Sequence, residues 1–123
     1  MLDPLLESWR FNQATNEKLL ALIPDAHLED SYGVRTRNVA RTFAHLHHIR
    51  LQWLAAGGLD QKEGLERIGR AEGKTVEILK SHLQRSSEVM EVLLGNCIAS
   101  GEVPDFPGSP FHFVNHLIAH EAH

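Results

Sequence analysis

The sequence predicts an all-α four-helix bundle, and three observations predict it. Val76, Leu79, Leu83, Ser86, Met90, Leu93 and Cys97 recur at spacings of three and four over three heptads, the stripe of one long helix in a bundle. Leu2, Leu6, Trp9, Gln13, Asn16, Leu20 and Ile23 follow the same rhythm. No segment alternates apolar and polar residues with a strand's period of two, and no repeat or low-complexity stretch competes.

Each element follows from local chemistry. Gln13 and Asn16 interrupt the seam of the first helix, so if that seam is buried they need hydrogen-bond partners. Pro24 and Ser31-Tyr32-Gly33 then break the chain. Thr36 is the expected cap of the second helix and Gly57 its end, with Val39, Phe43, Leu46, Ile49 and Trp53 as the apolar face. Gln61 to Gly73 links it to the long third helix, with Leu65 and Ile68 suggesting one or two turns packed on the outside. Gly101 to Pro110, with three Pro and two Gly, makes the last break. Ser109 caps the final segment and Pro110 takes its first helical position. That segment reaches His123 after about four turns against roughly six or more elsewhere. Its apolar pattern has not ended and no capping Gly, Asn or Pro has appeared, so the sequence predicts a last helix cut short.

Composition narrows the classes. The 123 residues, 42% hydrophobic and 23% charged, suit one domain over residues 1–123 with one core. Twelve Lys and Arg against sixteen Asp and Glu leave a charge of -4, which argues against nucleic acid. Arg35, Arg37 and Arg41 accordingly read as a solvated or salt-bridged cluster. The single Cys97 excludes an internal disulfide, a multi-cysteine zinc site, a two-cysteine redox pair and haem attachment, and suits a reducing cytosol. No run approaches eighteen apolar residues, and Asp3 and Glu7 make an acidic start unlike a signal peptide. The expected location is cytoplasmic, with no membrane partner.

The outlier is histidine: nine in all, seven of them in two short stretches. His112, His116, His120 and His123 form one stripe on the last helix, and at ~100° per residue His120 is best placed to look inward. On the second helix His45 lies at one edge of the apolar face, below Ile49 and Trp53. His47 lies at the other edge, and His48 points away toward water. One His from the second helix and two from the last could supply three neutral imidazoles to a borderline cation such as zinc or nickel. Three protein ligands leave a position open for water or a substrate heteroatom, which favours a reaction over a structural role. Gln13, Asn16 or Glu121 are candidates to accept the second ring N–H of a ligand His.

These residues also carry a resemblance. TFAHLHHIRLQWL at Thr42 to Leu54, LIAHEAH at Leu117 to His123, and SWRFNQATNEKLL in the first helix resemble the DinB/YfiT-like metalloenzyme family, the damage-inducible bundle family and not the translesion polymerase. The resemblance covers most of the chain. It implies a four-helix bundle, often dimeric, holding a divalent metal with one His from the second helix and two, four residues apart, from the last. Carried over, these fall on His45 and His120, and the second of the C-terminal pair falls on the residue after His123. His116, four residues before His120, is the geometric substitute, and His123 resembles the family's extra His beside the ligand.

The resemblance further implies thiol-dependent transferases, in which a metal activates a low-molecular-weight thiol, alongside isomerase- and hydrolase-type members. The expected function is therefore a metal-dependent enzyme acting on a small molecule, in a homodimer, with Trp53 and Trp9 in the apolar part of the pocket or simply in the core. The alternative is a non-catalytic, stress-related binding or dimerisation module. His120-Glu121-Ala122-His123 falls one residue short of the zinc-peptidase spacing, and the Glu-x-x-His repeat of di-iron bundles does not occur.

Overall fold

The computed structural model describes residues 3–31, 37–70, 72 and 74–122. Helix α1 spans Pro4–Ala21 and starts where Asp3 accepts a hydrogen bond from Leu5 N at 2.8 Å, with Pro4 in the first turn. Helix α2 spans Val39–Ala56, α3 Val76–Ser100 and α4 Pro110–Glu121. Thr75 and Ser109 cap α3 and α4, and Gly101 ends α3 at φ 77°, the left-handed conformation that closes a helix at least cost to glycine. Thr36, the expected cap of α2, lies outside the described residues, as do Leu2, Arg35 and His123. The observed cap is Asn38, whose Oδ1 accepts from Arg41 N at 2.8 Å.

Two apolar clusters and a polar layer between them set the chain direction. One cluster gathers Trp9, Leu54, Met90, Phe113 and Leu117, and the other Leu20, Phe43, Ala44, Leu79 and Leu83. Between them, each helix contributes polar side chains to the interior: Gln13 and Asn16 from α1, Arg50 from α2, Ser86 and Ser87 from α3, and Glu121 from α4. Helix α1 passes from the first cluster to the second, whereas α2 and α3 both run from the second to the first. They are therefore parallel. A parallel pair needs a long return connection, and residues 57–75 provide it along the outside of α2, with Leu65 packed in the first cluster and Ile68 in the second.

That return strap corrects two expectations. Leu65 and Ile68 are buried, but the strap is made of turns and irregular backbone among its described residues and contains no helix. It also covers the face of α2 that the sequence assigned to solvent. His47 is fully buried and His48 is 7% exposed. His47 Nε2 donates to the Glu66 carbonyl at 2.7 Å, and His48 Nε2 accepts from Ile68 N at 3.0 Å. Ile49 and Trp53, expected on the apolar face above His45 at its edge, are half-buried. The strap makes α2 an interior helix on two sides, so its buried arc is wider than that of a helix packed on one.

Candidate metal centre

The polar layer positions the last turn of α4. Arg50, fully buried, grips Glu121 with Nε at 2.9 Å from Oε2 and Nη2 at 3.0 Å from Oε1. Its Nη1 donates to the Leu83 carbonyl at 2.9 Å and to Ser86 Oγ at 3.2 Å, and its guanidinium lies 4.8 Å from the centre of the Trp9 ring. Glu121 also accepts from Asn12 Nδ2 at 2.9 Å and Asn16 Nδ2 at 3.1 Å. Trp9 Nε1 donates to Ser87 Oγ at 3.0 Å. All four helices meet in this one network. A bidentate Arg–carboxylate pair fixes orientation as well as distance, and here it ties α4 to α2, whose backbones barely approach each other.

The neighbour of Glu121 is His120, so the same bond fixes the helical turn that carries His120. The His45 and His120 ring centroids are 6.3 Å apart, with the His116 ring 6.0 Å from His120 and stacked on it. The two predicted ligands converge. His120 and His116 are exposed and His45 half-buried, which places the group on the flank of the bundle and not in its centre. His112 turns away, its Nδ1 within 3.0 Å of Ser109 Oγ. Burial first, then the charges of Arg37 and His120, lowers the His45 pKa and keeps that ring in the neutral form that ligates metals.

Hydrogen bonding sorts the described histidines further. His27, His47, His48 and His112 each have a ring nitrogen engaged by another group. No described residue hydrogen-bonds a ring nitrogen of His45, His116 or His120, nor one of His82, whose ring packs edge-on against His47 at 5.1 Å and leaves the other three as a group. These three stand together with their lone pairs uncommitted. Two imidazoles sharing a tetrahedral ion at ~2.0–2.1 Å have centroids about 5 Å apart, so the observed pair at 6.3 Å stands wider than a shared ion requires. The donor set fits a borderline divalent cation. Among the described residues, however, no three ligating groups are already positioned around one point.

Other predicted roles are redistributed. Glu121 accepts from Arg50 and from Asn16, and neither Glu121 nor Asn16 bonds a ligand histidine. Gln13 is buried with neither amide atom hydrogen-bonded. Trp9 sits in the core over Arg50, whereas Trp53 does face the histidine group, its ring 6.1 Å from His116 and 5.0 Å from Phe113. Arg41 donates to the Ile68 carbonyl at 3.1 Å and so serves the strap. Arg50 is the residue that sequence reasoning missed. The available signal was its register, since it follows Phe43 and Leu46 and precedes Leu54 at helical spacing.

A family model described as the DinB family matches residues 1–123. The chain belongs to the DinB family. No curated protein and no solved structure matches it. Within this DinB-family bundle no described helix is long and apolar enough to cross a membrane.

Proposed function

We propose that this DinB-family chain is a divalent-metal-dependent enzyme acting on a small molecule, with His45 and His120 as metal ligands and zinc or nickel as the ion. The observation that carries this reading is the meeting of two uncommitted imidazoles from α2 and α4, held there by the buried Arg50–Glu121 pair. His116, stacked on His120, is the nearest further donor. A bound divalent ion would supply Lewis acidity and lower the pKa of a coordinated water or low-molecular-weight thiol. The protein's part is to aim the rings and to keep His45 neutral, with Trp53 and Phe106 forming an apolar wall beside His116. A homodimer in the cytoplasm with a thiol co-substrate completes the proposal.

Untagged protein dialysed against zinc or nickel should retain the ion, and His45→Ala and His120→Ala should each release it while melting normally. His112→Ala, outside the group, should retain it. Retention by both variants would end the metal reading. Turnover of electrophiles with a panel of thiols tests the chemistry separately. A second reading, a non-catalytic bundle, draws on the absence of a preformed three-ligand set among the described residues. Metal retention without turnover across the panel would favour it.

A further inference from the structure

A cleft of about 630 Å³ opens where the end of α1 meets the start of α2, within the size range of small-molecule sites. Leu22, Ile23, Val39 and Phe43 give it an apolar wall, and Arg37 and Thr42 stand among its polar groups. The first turn of α2 offers an incoming anion little backbone. Val39 N donates to the Asp30 carbonyl at 3.0 Å, Ala40 N to the Leu28 carbonyl at 2.8 Å, and Arg41 N to Asn38 Oδ1 at 2.8 Å. Thr42 Oγ1 donates to the Asn38 carbonyl at 3.0 Å. The wall's carboxylate, Asp30, is held by His27 Nδ1 at 2.7 Å. Arg37 is exposed and forms no ion pair with any described residue. A guanidinium without an ion pair among the described residues, in the lining of an apolar cleft, suits a carboxylate, sulfonate or phosphate carried on a hydrocarbon body.

We infer that this cleft binds an organic anion with an apolar body, the charged group on Arg37 and the body against Leu22, Ile23, Val39 and Phe43. The cleft adjoins the histidine group. Thr42 lies one helical turn before His45 on the same side of α2. A molecule seated on Arg37 would extend toward His45. The consequence for catalysis, that the substrate is such an anion, rests on His45 and His120 being metal ligands, whereas the binding itself does not.

The test uses the whole chain, metal-free, with octanoate as the probe and octan-1-ol and octylamine as its neutral and cationic counterparts. Amide shifts in a ¹⁵N–¹H correlation spectrum and calorimetry read the binding. Octanoate should perturb Ile23, Val39 and Phe43 saturably and bind roughly tenfold or more tightly than octan-1-ol, the worth of one charge-assisted contact. Arg37→Gln, at an exposed position, should melt normally and reduce octanoate to the level of the alcohol. Leu22→Asp should weaken both. Equal binding of octanoate and octan-1-ol, an octanoate preference that survives Arg37→Gln, or no saturable shifts up to roughly 10 mM would each overturn the inference. His45→Ala should leave octanoate binding intact and Arg37→Gln should leave metal retention intact, so the two readings fail separately.

Discussion

Replacing Glu121 by Gln keeps the shape of the polar layer and removes one charge. Four donors point at the carboxylate: Arg50 Nε and Nη2, Asn12 Nδ2 and Asn16 Nδ2. Three of them reach Oε1 and one reaches Oε2. The Gln oxygen can keep the three, but its NH₂ then faces Arg50 Nε, donor against donor, and the guanidinium remains buried without a counter-charge. Breaking one side of a buried ion pair typically costs about 3–5 kcal/mol. For a domain of this size that corresponds to a fall of ~12–20 °C in melting temperature. Urea titration followed by circular dichroism measures it, and Arg50→Met/Glu121→Leu supplies the control. The double variant, which buries no lone charge, should lose much less than either Glu121→Gln or Arg50→Met. If Glu121→Gln costs under ~1 kcal/mol, or if the double variant loses the sum of the singles, the Arg50–Glu121 pair is not the joint described here.

Three further outcomes follow from the same geometry. His47 is lowered to about 4, chiefly by burial and then by His82, His48 and Arg50, against the Glu66 hydrogen bond that raises it; burial, Arg67 and Arg41 lower His48 likewise. Both folded values lie below the unfolded value near 6.5, so their contribution is complete above pH 6.5 and is lost as pH falls toward 4. For His47 alone the loss is about 3 kcal/mol, and His47→Gln should flatten the urea midpoint between pH 7.5 and 4.5. Gln13→Met removes two buried, unbonded amide atoms and should raise stability by ~1 kcal/mol; a loss of that size would mean the amide is bonded in solution. Gly101→Ala places a side chain at φ 77° and should cost about 1 kcal/mol in a thermal melt.

The fold was legible because the α3 stripe is long and the helix-end signals read from the sequence obey local rules: Ser109 caps α4 and Gly57 ends α2 through their own turns. A helical wheel needs only one helix at a time, and it set His45 at the edge of its face, where it is half-buried, but it turned His120 inward, whereas that ring is exposed on the flank beside His45. What lay beyond the sequence depends on contacts far apart in the chain. A strap that crosses α2 decides whether His48 meets water, and nothing in the residues around His48 encodes that strap's path. Arg50 and Glu121 each look like ordinary charged residues on an amphipathic helix until the partner 71 residues away is known. Gln13 and Asn16 share a seam in the sequence, yet Asn16 finds Glu121 while Gln13 finds no described partner, a difference set by which way α4 approaches.

The arginine in the polar layer also has a timetable. Arg50 leaves the ribosome 71 residues before the carboxylate that answers it, an interval of ~4–14 s at about 5–20 residues per second. Throughout it the nascent α1, α2 and α3 can offer that guanidinium only the neutral acceptors of Leu83 and Ser86 and the Trp9 ring. A half-made bundle therefore has reason to stay open around Arg50 until α4 arrives, and synthesis of the last helix becomes the event that licenses closure.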